Sequence, residues 1–534
     1  MNLIKSSCIL SLISAFFDLV AQKICESAIW RGIIIAKLVP LWKIIDRKWD
    51  ESFCMLLLRK IGRHFQSGFG YAFFVRRPIM DRWVEESSII RLIMWVANLV
   101  PNLLGRFYRR FPKIFDGSLF FTCILDKLPF LVLCALALIM FVTPQEMWNN
   151  MYALLLAVAA LGMFWLAGMR NPDRRLSVRG IGGWTIMFFF VNLMSTFWSI
   201  DLGTSLRYMA FWITALIVIV VLVSLVRNEL QLSTMVAVLS VGLLIASAYA
   251  IMQRLGGLEA DEVLSDLKLN AGMPGRVYSF FENPNSFANV LVLFAPVMLT
   301  MGLDRKHKAR SVYFLAVFLL SMLALVMTYS RGGWIAIALS VFTLMLIAKP
   351  EYAPLLIVVG CAALPILPDN IVNRIITIFT GDSSISTRMY LYDGAFGAIA
   401  SSPVIGVGLG SEVAGIAATA SGRYLLTETM PFVHAHNLYF EIWAESGLIG
   451  LVSFLLAMFY GLQRAGSAAR RKDAPLAARR VCAGFMAAFA GSLFFGVTDY
   501  PWCYPRVMVM YWLAFAVMCA AARQCDSEKT LKEI

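Results

Sequence analysis

Two of the chain's four histidines, His434 and His436, are separated by a single residue. Glu441 and Glu445 follow them, one helical turn apart, where an apolar run begins. An imidazole with a pKa near about 6.5 can accept a proton at ambient pH, and a nearby carboxylate can orient it. The segment therefore predicts proton transfer at the start of an apolar helix. A loop histidine that only caps this helix is the alternative interpretation.

Three arginines, Arg276, Arg331 and Arg388, lie beside apolar runs in the same half of the chain. The planar guanidinium binds phosphate or carboxylate through two parallel hydrogen bonds. Arginine at membrane depth is costly unless it faces a partner or a watery cavity. Each arginine alone could simply extend its side chain to the lipid headgroups. Three of them beside a histidine pair favour an anion-binding site.

Neither a metal nor a cofactor is expected. His434 and His436 could point the same way in extended backbone, but zinc sites need further ligands at recognisable spacing, and the sequence offers none. A Walker loop, a dinucleotide fingerprint and a C-x-x-C pair are all missing from the sequence. The ten cysteines have no regular spacing, so no disulfide framework is predicted.

The composition indicates an all-α integral membrane protein. The chain is 60% hydrophobic and 15% charged, whereas soluble domains carry about 25% charged residues. Apolar windows of the length that crosses a bilayer as a helix recur along the chain. They predict a polytopic helical bundle of about twelve transmembrane helices. The predicted spans are 125–142, 152–169, 182–197, 205–226, 232–252, 286–303, 311–329, 332–349, 353–368, 437–462, 481–499 and 506–523.

Three loops carry most of the lysine and arginine between the spans, namely 170–180, 304–310 and 463–480. Basic loops stay in the cytoplasm, and all three fall on one side of the predicted topology. Both termini are then cytoplasmic, and the histidines are on the outer face. The net charge of +14 reflects this topology, so no nucleic-acid partner is expected.

The chain divides into residues 1–120 and a polytopic membrane domain, 121–534. The first part mixes short apolar stretches with lysine and arginine and has no cleavage site of a signal peptide. We expect it to lie along the cytoplasmic membrane surface; an extra span or a soluble partner-binding domain are the alternatives. The long loop 369–436 has helical apolar spacing at 374–380 and 388–400 and is predicted to form an ordered cap on the outer face.

Several motifs in the second half resemble the O-antigen ligase and polymerase family. They are Ser330-Arg331-Gly332-Gly333-Trp334, Ser386-Thr387-Arg388, the stretch Ser402-Pro403-Val404-Ile405-Gly406-Val407-Gly408, and His436-Asn437 followed by Gly447-Leu448-Ile449-Gly450. Asn283-Pro284-Asn285 is similar to an element that the family carries before a span. The core of the resemblance covers about 270–465. Ser279 stands where a glycine is expected, which is a small departure from the pattern.

The resemblance implies a type C glycosyltransferase-like fold in the cytoplasmic membrane of a bacterium. It also implies a metal-independent, inverting enzyme that moves or polymerises oligosaccharide units outside that membrane during cell-surface polysaccharide biosynthesis. The donor would be a glycan on a polyprenyl pyrophosphate, and the acceptor a hydroxyl of a glycan, lipid or protein. His436 would be the catalytic base, and Arg331, Arg388 and Arg276 would bind the pyrophosphate. The supporting residues would be His434, Asn437, Glu441, Glu445, Asn283 and Asn285.

Other classes fit part of the pattern. A flippase or transporter of lipid-linked saccharides would share the arginines and the cavity, but it would not need a histidine at an outer helix start. Twelve-span carriers usually join two halves by a long loop, whereas the sixth and seventh predicted spans are joined only by 304–310. A structural scaffold is a third alternative. The motifs do not separate a ligase from a polymerase.

Overall fold

The structure is a computed structural model that describes most of the membrane part of the chain. The described residues are 51–67, 86–171, 173–258, 274–281, 283–304, 306–352, 369–380, 383–422 and 434–526, with scattered positions at 40, 44, 47, 356, 358 and 360–362. In these residues the secondary structure is helical, without strands. The all-α prediction is therefore confirmed.

The described residues form eighteen α-helices, numbered in chain order. They are α1 (Phe53–Ser67), α2 (Ser88–Ala97), α3 (Leu99–Arg110), α4 (Pro112–Asp116), α5 (Leu128–Val142), α6 (Asn150–Ala167), α7 (Gly183–Ser195), α8 (Leu202–Leu225), α9 (Glu229–Leu255), α10 (Pro284–Gly302), α11 (Lys308–Met327), α12 (Arg331–Ala348), α13 (Asp369–Thr380), α14 (Ser383–Ser401), α15 (Ser411–Ala420), α16 (Leu438–Arg470), α17 (Leu476–Thr498) and α18 (Pro505–Gln524).

Nine of the described helices are long and apolar enough to cross a membrane, and the bent pair α2–α3 would add a tenth if it counted as one span. The nine are α6, α8 to α12 and α16 to α18; α5 and α7 are apolar but shorter. Eleven of the twelve predicted spans thus coincide with helices. The ninth, 353–368, lies mostly outside the described residues. The polytopic membrane fold is confirmed, and the count of twelve is not.

Helices α10 and α18 form the centre of the bundle, because nearly all of their side chains are buried. Phe294 of α10 contacts the rings of Phe141 and Phe485, and Trp512 of α18 packs among Phe188, Phe189, Trp212 and Trp502. Such aromatic packing gives the helices around the site a rigid core.

The ends of the helices separate the molecule into a basic end and an opposite end. Most of the predicted loop 463–480 is helical, since α16 extends to Arg470 and α17 begins at Leu476. At this basic end, Arg464 and Arg471 bind Asp526, at 2.9 and 3.3 Å, and Arg480 lies 3.2 Å from Asp304. The loop 170–180 joins them, since Gly180 lies beside the Arg464 guanidinium. The three basic loops therefore lie at a common end, as the sequence predicted, and α10, α12, α16 and α18 begin at the other.

The cap predicted for 369–436 contains three helices, α13, α14 and α15. Both stretches predicted to be helical are helical; residues 381–382 and 423–433 lie outside the described part. A small core of its own, which includes Leu391, Ala398, Val413 and Ala414, packs α14 and α15 against Ala444 of α16. The cap is thereby attached to the helix that follows the histidines.

Candidate active site

The start of α16 positions the histidine pair. Asn437 caps this helix, because its side-chain oxygen accepts hydrogen bonds from the N–H groups of Tyr439 and Phe440 at 2.9 and 3.1 Å. Its amide nitrogen donates to the carbonyl of Val497, 3.1 Å away, near the end of α17. The predicted supporting residue Asn437 therefore fixes the helix start against α17.

His436 is bound to a carboxylate that the sequence analysis missed. Its Nδ1 lies 2.8 Å from Oδ1 of Asp499, the residue that follows α17. The His436 side chain is 32% exposed and that of Asp499 is 8% exposed, so the carboxylate is buried behind the ring. Burial alone would raise the pKa of the Asp499 carboxyl, but the charge and hydrogen bond of His436, together with His434 and Arg388, hold it below its usual range. Asp499 is therefore a carboxylate that orients the ring.

His434 is more buried than His436 and lies against it. The backbone N–H of His436 donates to His434 Nδ1 at 3.1 Å, and the two ring centroids are 4.0 Å apart. Burial first, and then the charge of His436, lower the pKa of His434 to about 3, with a further contribution from Arg388. His434 is thus neutral at ambient pH and supports the conformation of His436, rather than lying in an exposed loop.

The two glutamates of α16 lie deeper than the histidines. Glu441 accepts a hydrogen bond from the N–H of Ala435, between the two histidines, at 2.7 Å. The hydroxyl of Tyr500, the residue next to Asp499, donates to Glu445 Oε1 at 3.3 Å. Glu441 therefore supports the histidine segment through the backbone, and Glu445 supports the segment that carries Asp499.

A kink in α16 explains two of the family-like motifs. At Gly447 φ is +69°, a conformation that favours glycine, and the kink releases the carbonyls of Ala444 and Glu445. They accept hydrogen bonds from the N–H groups of Val407 and Gly408 at 2.8 and 3.1 Å. A Cβ at Gly447 would collide with the carbonyl of Val404. The Ser402–Gly408 stretch is thereby packed on the kink, which attaches the cap just below the histidines.

Arg276 lies in the segment before α10. Its Nε donates to the carbonyl of Thr328 at 2.8 Å, and its Nη2 donates to Asn285 Oδ1 at 2.8 Å. Asn283 caps α10 by accepting from the N–H groups of Asn285 and Ser286, both at 2.9 Å. The predicted Asn283 and Asn285 thus support Arg276. Ser279 has a φ of +57°, a conformation that favours glycine, which explains why a glycine is expected there.

Arg331 begins α12, whose first turn packs on the end of α17. A Cβ at Gly332 would collide with the hydroxyl of Thr498, next to Asp499. Ser330 caps the helix by accepting from the N–H of Gly333 at 3.4 Å, and Tyr329 has a φ of +51°. Tyr329, Ser279 and His436, whose φ is +47°, are the non-glycine residues with positive φ in the described part. His436 is itself a site residue, and Tyr329 and Ser279 lie close in sequence to Arg331 and Arg276, as is common where backbone strain accompanies function.

The effects of these charged groups on one another's pKa values indicate which of them lie close together. Burial lowers the pKa of Arg276 to about 9, and so do the charges of Arg374, Arg331 and Arg388, while Asp499 opposes them. Arg388 also acts on His434. Arg276, Arg331 and Arg388 therefore lie near one another, Arg276 acts on Asp499, and Arg388 acts on both Asp499 and His434. Arg374, a buried residue of α13, also acts on Arg276. The sequence predicted the helix at 374–380 but not a role for this arginine.

His434, His436 and Asp499 could together hold a metal ion by geometry, because one ligand atom of each lies within 4.8 Å of the others. The third ligand missing from the sequence pattern is thus supplied by Asp499. Arg388 acts on His434 and Asp499, and Arg276 acts on Asp499; their positive charges repel a divalent cation and attract an anion.

Residues 316–455 match a family model described as O-Antigen ligase. The predicted resemblance is confirmed. The matching segment runs from α11 through α12 and the cap into α16, and it includes Arg331, Arg388 and His436. No curated protein matches the chain. The match and the apolar helices support a role in membrane glycan transfer for polysaccharide biosynthesis, and they fit a multi-pass protein of the bacterial inner membrane.

Proposed function

We propose that the chain transfers or polymerises oligosaccharide units from a polyprenyl-pyrophosphate carrier at the outer face of the cytoplasmic membrane. The observation that carries the proposal is the His436–Asp499 pair, 2.8 Å apart, next to the arginines that act on Asp499. A base oriented by a carboxylate suits deprotonation of a hydroxyl, and a cluster of arginines suits a pyrophosphate leaving group.

In the proposed reaction, the acceptor hydroxyl approaches Nε2 of His436, because Nδ1 is engaged by Asp499. The acceptor oxygen attacks the anomeric carbon from the side opposite the pyrophosphate, and its proton passes to His436. The bond between that carbon and the pyrophosphate oxygen breaks, and the electron pair remains on the carrier pyrophosphate. Inversion of the anomeric configuration follows from this single displacement.

Arg331, Arg388, Arg276 and Arg374 stabilise the charge that grows on the leaving pyrophosphate. Preorganised donors of this kind stabilise a transition state by about 3 kcal/mol each. The donor is already activated by its pyrophosphate, so a nucleotide is not required. We propose a metal-independent reaction, because the arginines supply the positive charge that a metal would otherwise provide.

The outer-face assignment rests on the basic end of the bundle. Loops rich in lysine and arginine stay in the cytoplasm, so the histidines at the opposite end face outwards. It can be tested with single cysteines in a background without the native ones. Ala420→Cys, at the exposed end of α15, should react with an impermeant maleimide in intact cells. Asp473→Cys, exposed in the connection 471–475 at the basic end, should react only after lysis. The opposite pattern would reverse the orientation.

Transfer itself is tested with purified protein in liposomes that contain a lipid-linked oligosaccharide. Wild type should form new glycosidic bonds, seen as longer chains or glycosylated acceptor on a gel, whereas His436→Ala should not. A flippase would instead move the donor to the opposite leaflet unchanged, and His436→Ala would leave this movement intact.

The acceptor decides between polymerase and ligase. Two acceptors are therefore offered in separate reactions, a second lipid-linked unit and a lipid core with a free sugar hydroxyl. Ladders of increasing length with the first indicate a polymerase, and a single transfer to the second indicates a ligase.

A further inference from the structure

A bent helix pair projects from the basic end of the bundle. Helices α2 and α3 meet at an angle of 47° around Asn98. We call residues 88–110 the elbow. In α2 no side chain is buried, and in α3 the buried residues are Pro101 and Gly105. The elbow thus touches the rest of the protein along one narrow line and leaves most of its surface uncovered.

The bend is fixed to the loop 170–180. Asn98 donates to the carbonyl of Leu176 at 3.1 Å and accepts from the N–H of the same residue at 2.8 Å. Arg175 donates to Asn102 Oδ1 at 2.9 Å. Because this loop joins α6 to α7 at the basic end, the middle of the elbow lies at the membrane boundary. A helix pair that crossed the bilayer would have its middle in the hydrocarbon core instead.

The exposed surface of the elbow carries a row of apolar side chains. On α3, Leu99, Leu103 and Phe107 recur at every fourth residue, and they are 39%, 51% and 52% exposed. On α2 the exposed apolar side chains are Ile89, Leu92, Ile93, Trp95 and Val96. An amphipathic helix of this kind lies in the interface with its apolar side among the acyl chains.

Exposed basic side chains accompany the apolar side. They are Arg91, Arg106, Arg109, Arg110 and Lys113. The acidic neighbour Asp116 is already engaged, since it accepts from Tyr108 at 2.7 Å and pairs with Arg170 at 3.5 Å. Among the described residues no carboxylate pairs with Arg106, Arg109 or Arg110, so their positive charge is left for an external anion. At the boundary of a bilayer, the anions at the right depth are lipid headgroups.

We propose that the elbow binds anionic phospholipids of the leaflet at the basic end, with Leu99, Leu103 and Phe107 among the acyl chains and Arg106, Arg109 and Arg110 on the headgroups. The three arginines lie within two turns of α3, and such a cluster of positive charge attracts anionic headgroups. The elbow therefore binds headgroups as well as hydrocarbon. This binding is independent of the proposed glycan transfer.

The test uses the full chain in nanodiscs, with a bimane probe on Leu103→Cys in a background without native cysteines. Brominated phosphatidylglycerol or brominated phosphatidylcholine is added at the same mole fraction. We expect quenching by both lipids and at least about twofold stronger quenching by the brominated phosphatidylglycerol. A probe on Asp473→Cys, exposed in the connection 471–475 away from the elbow, should remain unquenched.

Replacing Arg106, Arg109 and Arg110 together by glutamine should abolish the preference for phosphatidylglycerol and retain the quenching. The corresponding lysine triple should keep the preference, which separates charge from misfolding. Equal quenching by both lipids in the wild type would overturn the headgroup assignment. Quenching of the probe by aqueous iodide and by neither brominated lipid would show that the elbow lies in water and not in the membrane. Labelling of Ile89→Cys and Ile114→Cys from opposite sides of sealed vesicles would show a span instead.

Discussion

Nδ1 of His436 and Oδ1 of Asp499 are 2.8 Å apart, although 63 residues separate them along the chain. The same carboxylate oxygen accepts from the N–H of Tyr500 at 2.9 Å, so its position is fixed by its own backbone. A neutral His436 must then carry its proton on Nδ1, which leaves Nε2 as the free acceptor. The pair is therefore arranged for a base whose reactive nitrogen faces away from Asp499.

Asp499→Asn tests this arrangement. The amide has nearly the same shape, but it has no charge to stabilise the imidazolium that forms during transfer. We expect kcat to fall by about 10²–10⁴-fold, with little change in KM for the donor. Asp473→Asn, an exposed carboxylate at the basic end, is the control and should be unaffected. An unchanged kcat in Asp499→Asn would reduce the pair to a structural contact.

The two histidines should differ in the type of defect they cause. His436→Ala should abolish transfer and retain donor binding, because the arginines hold the pyrophosphate. His434→Asn should retain most of the activity, since an amide oxygen can still accept from the N–H of His436. Activity and binding of a labelled donor are measured on the same preparations. An inactive His434→Asn beside an active His436→Ala would exchange the two roles.

The sequence predicted the histidines, three of the arginines and the helices, because each follows from local composition or spacing. It could not reveal Asp499, since a lone carboxylate after an apolar run has many roles and only the fold places it beside His436. Arg374 was missed for the same reason. The kink at Gly447 also depends on tertiary contacts, because the carbonyls that it releases accept hydrogen bonds from N–H groups of the distant Ser402–Gly408 stretch.

Arg331 and Arg388 should not tolerate lysine if they bind pyrophosphate. Lysine keeps the charge, but it loses the planar fork that makes two parallel hydrogen bonds. We expect Arg331→Lys and Arg388→Lys each to lower kcat/KM by about tenfold to a hundredfold. Arg207→Lys is the matched control, because Arg207 is exposed at the same end and pairs with Glu412. Normal activity in both variants would make these arginines headgroup anchors.

Asp304 should make stability depend on acid pH. Burial would raise its pKa, but hydrogen bonds from His307, the N–H of Lys306 and Arg480 lower it to about 2. A depressed carboxyl pKa stabilises the folded state above the unfolded value, near about 4, and this stabilisation is lost as the pH falls towards about 2. Asp304→Asn should therefore be about 1–3 kcal/mol less stable at pH 7.

The measurement is thermal unfolding of the purified protein in detergent, from pH 7 downwards, with Asp473→Asn as the control at the same end. The difference between wild type and Asp304→Asn should shrink below about pH 4. A difference that is constant with pH would assign the effect to packing and not to the charge of Asp304.

Metal ions give the last prediction, because His434, His436 and Asp499 have ligand atoms within 4.8 Å of one another. If His436 is a free base beside a cluster of arginines, EDTA should leave the activity of the purified protein unchanged. Added zinc should inhibit, since it would occupy the nitrogen that must accept the proton, and EDTA should reverse the inhibition. His434→Asn removes one ligand without removing the base, so it should need more zinc for the same inhibition. Loss of activity in EDTA, with recovery on addition of zinc or manganese, would instead make these three residues the ligands of a catalytic metal.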